Sequence, residues 1–123
     1  MNKICFVTGN KNKLREVQKL LFSYHLLSLD DLNFTDEIIE TEDTIEGNAL
    51  LKADHIYKKF EINCFSDDTG LFVDSLDGEP GVKSARFAGD SSNSEDNIRL
   101  VLEKLIGEEN RDAIFRTVIC LII

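Results

Sequence analysis

The chain has 123 residues, of which 42% are hydrophobic and one is proline, which is enough for a single globular domain with an apolar core. Its formal net charge of −9 at pH 7 excludes the proteins that grip a nucleic-acid backbone through a basic face. No apolar run is long enough for a signal peptide or a membrane span, so the sequence predicts a cytoplasmic protein that binds neither nucleic acid nor membrane.

The first predicted elements are a strand, a helix and a second strand. Residues 4–7 form a continuous apolar run before a turn, which is the pattern of a strand buried on both faces. Between residues 12 and 22 the apolar side chains recur at helical spacing, and residues 25–29 predict the second strand. The three cysteines lie far apart, each within an apolar run, which predicts reduced core thiols rather than a disulfide framework or a zinc site.

An acidic, irregular segment at residues 30–43 leads into a second helix. The apolar face of this helix starts at Ile45 and ends at Phe60. Asp43 and Glu46 have the spacing of a capping box, so we expect this pair to cap the helix.

A third, short strand is predicted at residues 64–66. It ends in Asp67-Asp68-Thr69-Gly70, after which residues 71–74 resume an extended conformation. Residues 77–81 combine Asp, Gly and Pro, which is typical of a turn.

The rest of the chain predicts a third helix and a final strand. Ser92 and Glu95 have the spacing to cap the helix, whose apolar face includes Leu102. Residues 113–123 predict the strand. Because strands alternate with helices, we expect an α/β fold, a central mixed β-sheet flanked by helices, in one domain over residues 1–123.

The first candidate site is the polar loop Thr8-Gly9-Asn10-Lys11-Asn12-Lys13, between the first strand and the first helix. Backbone N–H groups and the positive end of the helix dipole attract anions there, and Lys13 adds a positive charge. The loop lacks the patterns of a P-loop and of a dinucleotide-binding fold, so neither is inferred. The other interpretation is a plain turn in which Asn10 or Asn12 caps the helix.

The second candidate site is Asp67-Asp68-Thr69-Gly70, together with Glu40, Glu42 and Glu46 in the preceding acidic segment. Carboxylates at a strand end suit Mg²⁺, which takes a few carboxylates together with substrate phosphates. Since successive strand residues point to opposite faces, we expect Asp68 in the site and Asp67 on the other side. The alternative is a solvated turn in which Asp acts as a local cap.

These loops and the segments around them resemble the inosine triphosphate pyrophosphatase family. The matching motifs follow in order along the chain: FVTGNKNKLREVQKLL, TIEGNALLKA, FSDDTGLFVDSLDGEPGVKSARFAG and FRTVICLI. The resemblance implies an elongated α/β fold, a homodimer and dependence on Mg²⁺. It also implies hydrolysis of the purine nucleoside triphosphates ITP, dITP and XTP to the monophosphate and pyrophosphate.

The resemblance also implies roles for individual residues. Asp68 is implied both as a metal ligand and as the proton acceptor for the attacking water. Glu40 is the first choice for the second metal carboxylate, and Glu46 is the second because of its competing use in the capping box. The substrate-binding residues implied are Thr8, Gly9, Asn10, Lys11, Asn12, Lys13, Lys52 and Thr69.

Members of that family continue past the final strand into a GYDP-type motif and a Ser-His-Arg segment, and this sequence contains neither. We therefore expect an incomplete domain with little or no activity of its own. The apolar residues 118–123 predict an uncovered strand that promotes association.

Two rival functions stand beside this one. Asp68-Thr69-Gly70 is also the Asp-Thr-Gly of aspartic proteases, but such a protein is nearly all β and three amphipathic helices are predicted here. The other rival is a non-catalytic remnant that only binds nucleotide phosphates, which a turnover assay with ITP distinguishes from an enzyme.

Overall fold

The computed structural model describes residues 2–91 and 93–123, which divide into two compact units. The first unit comprises residues 2–68 and 118–123, and the second comprises residues 69–117. The α/β fold with a mixed β-sheet is confirmed, because β-pairing within these units is both parallel and antiparallel. The single domain over residues 1–123 stays a prediction.

The first unit holds a parallel sheet and two helices. Its elements are β1 (Asn2–Phe6), α1 (Lys11–Leu20), β2 (Tyr24–Leu27), α2 (Ile45–Phe60) and the beginning of β3 (Cys64–Val73). Strand β1 lies between β2 and β3 and pairs in parallel with both. Strand β1 ends beside Phe65, and β3 continues beyond it. The loop after β1 therefore lies next to the middle of β3.

Small residues let α2 approach the sheet closely. Ala49 and Ala53 are fully buried, and their backbone carbonyls accept hydrogen bonds from two β3 side chains, Ser66 Oγ and Cys64 Sγ. Close packing of this kind restricts how a helix can shift against a sheet. As a consequence, Lys52, which precedes Ala53, is held next to β3.

Two free thiols lie side by side on neighbouring strands at the centre of this sheet. Cys5 of β1 and Cys64 of β3 are register partners, and both are free and fully buried, as predicted, whereas Cys120 is half-buried. Burial raises the pKa of Cys5 to about 12 and that of Cys64 to about 11.

The second unit contains the end of β3, β4 (Pro80–Gly81), α3 (Ser94–Lys104) and most of β5 (Ala113–Ile122). Strand β4 pairs antiparallel with β3, and β5 also pairs with β3. A Cβ atom at Gly70 would lie 2.6 Å from the carbonyl oxygen of Gly81, so this close approach requires glycine in β3.

The predicted break in the third strand is wrong. Strand β3 runs without interruption from Cys64 to Val73, so Asp67-Asp68-Thr69-Gly70 is extended and does not form a terminal turn. The reason is pairing: β4, which follows β3 closely in the sequence, and β5, which is distant, continue the hydrogen-bonded ladder along β3.

Both predicted helix caps are also wrong. Helix α2 is capped by Thr44, whose Oγ1 accepts a hydrogen bond of 3.0 Å from the Gly47 N–H, not by Asp43 with Glu46. Helix α3 is capped by the reciprocal pair Asn93 and Asp96, not by Ser92 with Glu95, and Ser92 lies outside the described residues. Thr44 and Asn93 are good caps that directly precede their helices. Each lies one residue after the cap that the capping-box spacing predicted.

Two of the predicted helices end or pack differently from the expectation. Helix α1 ends at Leu20, which is 77% exposed, and not at Phe22. Leu105, which caps the C-terminus of α3, is buried, but Ile98 and Leu102 on the helix are exposed. In the described ranges no helix has the length and apolar character needed to span a membrane.

Candidate functional site

The predicted phosphate loop is a tight turn that ends in a helix cap. Asn10 is the N-cap of α1: its Oδ1 accepts a hydrogen bond of 3.0 Å from the Lys13 N–H, and its own N–H donates to Thr8 Oγ1. Asn12, the other candidate cap, instead accepts a hydrogen bond from the Arg15 guanidinium. The cap does not use the first-turn N–H groups of Lys11 and Asn12, which lie at the positive end of the helix dipole.

Lys52 is the centre of a charged cluster in the first unit. Its Nζ lies 3.0 Å from Glu40 Oε1 and 4.0 Å from Asp68 Oδ1, and it donates a hydrogen bond of 2.7 Å to the backbone carbonyl of Asp67. The side chains of Lys52, Glu40 and Asp68 are all largely buried, with 17%, 29% and 14% of their surface exposed. Because little water screens these charges, the interactions within the cluster are stronger than those of a surface ion pair.

The carboxylate of Asp67 contacts a different lysine from the one that the Asp68 carboxylate contacts. Its Oδ2 accepts a hydrogen bond of 2.8 Å from Lys13 Nζ, so it engages the lysine of the phosphate loop. Asp68 lies near the lysine of α2 instead. The two adjacent carboxylates therefore serve two different lysines on two different helices, which agrees with the alternation of strand side chains.

The donor set can be compared with the needs of a divalent cation. Glu40 and Asp68 supply carboxylate oxygens, the ligand type that Mg²⁺ prefers, and both lie within 4.0 Å of the same Lys52 Nζ. Over residues 2–91 and 93–123, no group of three or more His, Cys, Asp or Glu side chains is arranged to hold a metal ion. Two carboxylates fit a cation that completes its coordination with water and substrate phosphates.

The remaining predicted residues have other surroundings. Thr69 lies in the second unit, where its hydroxyl is 2.8 Å from that of Thr117. Glu46 is exposed in the first turn of α2, while Glu40 makes the contact with Lys52. The aspartic protease interpretation of Asp68-Thr69-Gly70 is not supported, because the fold is α/β and this segment is a strand interior.

A cavity of about 600 Å³ borders the phosphate loop. Its lining comes from the loop, from α1 and from residues 28–36, and does not include Glu40, Lys52 or Asp68. The volume is in the range of small-molecule sites. The convergent charged groups of the first unit lie elsewhere, in the cluster around Lys52.

Asn48 is a residue of this region that sequence reasoning missed. It is fully buried on α2, and its amide contacts the backbone of Glu42. The available signal was its position: Asn48 falls on the otherwise apolar face of the helix that contains Ile45 and Ala49.

Comparisons with known proteins find similarity along almost the whole chain. The model of the Ham1 family matches residues 4–123. The dITP/XTP pyrophosphatase of Flavobacterium johnsoniae is 52% identical over 120 residues, which cover 97% of this chain and 62% of that relative.

Solved structures agree with this similarity. The Staphylococcus aureus Ham1 protein has a TM-score of 0.91 at 34% identity, covering 98% of this chain and 63% of that one. A nucleoside-triphosphatase / dITP/XTP pyrophosphatase from Mycobacterium abscessus has a TM-score of 0.83 at 37% identity, covering 98% and 65%. The chain thus spans less than two thirds of the length of these relatives.

The structure assigns the helix cap to Asn10, so removing the cap should destabilise the protein at Asn10 and not at Asn12. Asn10→Ala should lower the free energy of unfolding by about 1 kcal/mol, because it removes the acceptor for the Lys13 N–H. Asn12→Ala should change it by less than about 0.5 kcal/mol. Urea denaturation of the two variants checks this, and a larger loss at Asn12 would contradict the assignment.

Lys13 should contribute to anion binding from the first turn of α1. Lys13→Ala should weaken the binding of inorganic tripolyphosphate on the order of 10-fold, and the loss should shrink as ionic strength rises. Isothermal titration calorimetry at low and at high salt measures this. The matched control is Lys58→Ala, which removes a lysine from an exposed ion pair of 2.8 Å with Asp54; equal losses for both variants would refute a local role for Lys13.

Proposed function

Because the chain belongs to the Ham1 family, we propose that it hydrolyses the non-canonical purine nucleoside triphosphates ITP, dITP and XTP to the nucleoside monophosphate and pyrophosphate. Relatives named dITP/XTP pyrophosphatase support the substrate class. The single observation that carries the proposal is the cluster of Glu40, Lys52 and Asp68, with Lys13 held beside it through Asp67. The role is removal of damaged nucleotides from the cytoplasmic pool.

The lysines account for phosphate binding. Lys13 and Lys52 come from two helices and supply positive charge to a triphosphate, whose negative charge increases on the oxygens of the leaving pyrophosphate. The Lys11 and Asn12 N–H groups at the start of α1 add donors, as helix N-termini do for phosphates. Lysine has three N–H donors, so the contacts of Lys13 and Lys52 with carboxylates leave donors for phosphate oxygens.

The carboxylates account for the metal and the water. Glu40 and Asp68 are the residues that would hold Mg²⁺, and the chemistry supplied by the ion is neutralisation of charge on phosphate oxygens. Asp68 also accepts a proton from the water that attacks the α-phosphorus. Within the proposal, Thr69 contacts the substrate and the active form is a homodimer.

Product analysis tests the function. With the chain in molar excess over nucleotide and Mg²⁺ present, ITP, dITP and XTP should each give the monophosphate and pyrophosphate, and ATP should react at least about 10-fold more slowly. Release of orthophosphate, or equal rates with ATP, would refute the proposal. Tight, Mg²⁺-dependent binding of ITP without turnover would favour the non-catalytic rival.

Replacing Asp68 should lower turnover more than replacing Asp67. Asp68→Asn should lower turnover on the order of 10²-fold or more while the fold is retained, because the proton acceptor and a metal ligand are lost together. Asp67→Asn should be milder, since its carboxylate contacts Lys13 and not the water.

Asp54→Asn is the matched control for both variants, because Asp54 forms an exposed ion pair with Lys58. It should leave turnover of ITP unchanged. Single-turnover rates and circular dichroism measure activity and fold, respectively. An Asp68→Asn variant with nearly normal turnover would contradict the assignment, and equal losses at Asp67 and Asp68 would indicate that both carboxylates bind the metal.

A further inference from the structure

Asn48 binds the backbone of the loop that carries Glu40. The Glu42 N–H donates to Asn48 Oδ1 at 3.0 Å, and Asn48 Nδ2 donates to the Glu42 carbonyl at 3.4 Å. The Asn48 side chain is fully buried, and the mechanism above does not use it. A buried amide that satisfies both polar groups of one residue fixes that residue in position, because losing the contact leaves buried polar groups unpaired.

Gly47 allows this contact by its lack of a side chain. A Cβ atom at Gly47 would lie 2.8 Å from Glu42 Cβ and 3.1 Å from Thr44 Oγ1. Glycine weakens a helix relative to alanine, so its presence in the first turn of α2 has a local cost. The close approach of Glu42 to the helix explains why glycine is present at this position in spite of that cost.

The held segment leads directly to the charged cluster. Glu40 lies two residues before Glu42, in a stretch without regular secondary structure, and its Oε1 is 3.0 Å from Lys52 Nζ. Lys52 follows Asn48 by four residues, so the two side chains share one face of α2. The same helix face therefore contacts the loop twice. Asn48 contacts the loop backbone at Glu42, and Lys52 contacts the side-chain carboxylate of Glu40.

We infer that Asn48 and Gly47 are positioning residues that hold Glu40 in the site; we call the pair the α2 clasp. The inference rests on the proposed function for the role of Glu40 toward a divalent cation. The clasp acts through the backbone of Glu42 and makes no contact with substrate or metal. It replaces the hydrogen bonds that a regular element would supply to this part of the loop.

Three variants separate positioning from general stability. Asn48→Ala removes both hydrogen bonds, and Gly47→Ala pushes Glu42 away while favouring the helix. The control is Ser66→Ala, which deletes another fully buried polar contact to α2, at the carbonyl of Ala49, without touching the loop.

Two readouts need no nucleotide. Asn48→Ala and Gly47→Ala should speed amide hydrogen exchange at residues 40–43 and weaken the binding of Mn²⁺, used as a paramagnetic probe, by about 10-fold. Ser66→Ala should do neither, although it lowers the melting temperature. Unchanged exchange in Asn48→Ala, or an equal loss of Mn²⁺ affinity in Ser66→Ala, would overturn the inference.

A double-mutant cycle with Glu40→Gln identifies the path of the effect. If the clasp acts through Glu40, adding Asn48→Ala to Glu40→Gln should weaken Mn²⁺ binding no further. A full additional loss would show that Asn48 acts on the metal by another route. Failure of ITP hydrolysis would count against the proposed function alone, because exchange and Mn²⁺ binding report on the clasp without turnover.

Discussion

The ammonium group of Lys52, which is itself on α2, is contacted by two other segments of the chain at once. Glu40 comes from an irregular loop, Asp68 from β3, and the backbone carbonyl of Asp67 from the same strand. Carboxylates as buried as these are costly unless a positive charge compensates them. Lys52 supplies that charge, and it does so only when loop, helix and strand are all in their native places. The charged site and the tertiary fold of the first unit therefore form together.

The packing between α2 and the sheet makes that compensation possible. Alanines on the buried face bring the helix close to β3, and hydrogen bonds from Ser66 and Cys64 attach the strand to the helix backbone. Lys52 needs only the length of its own side chain to reach the middle of β3. A bulkier helix face would increase that distance, so apolar packing and site electrostatics cannot be varied independently.

Elements with strong periodicity could be predicted from sequence, and α2, with Ile45 and Ala53 on one face, is the clearest case. The continuity of β3 could not, because its pairing with β5 comes from a position remote in sequence. Nor could local spacing choose between Asp43 and Thr44 as the cap of α2, since both are good caps. At the site, lysines and carboxylates were recognisable by type, whereas the ion pair of Asp67 with Lys13 depends on where the fold places the first turn of α1 relative to β3.

The two neighbouring free thiols of the central sheet, Cys5 and Cys64, determine how the sheet responds to oxidants and alkylating agents. Oxidants and alkylating agents attack the thiolate, and burial raises the pKa of Cys5 to about 12 and that of Cys64 to about 11, so both thiols stay protonated at neutral pH. Both sulfurs are also closed off from solvent. The centre of the sheet is thus chemically unreactive toward oxidants and alkylating agents, so the strands that carry the candidate site are insulated from cysteine modification.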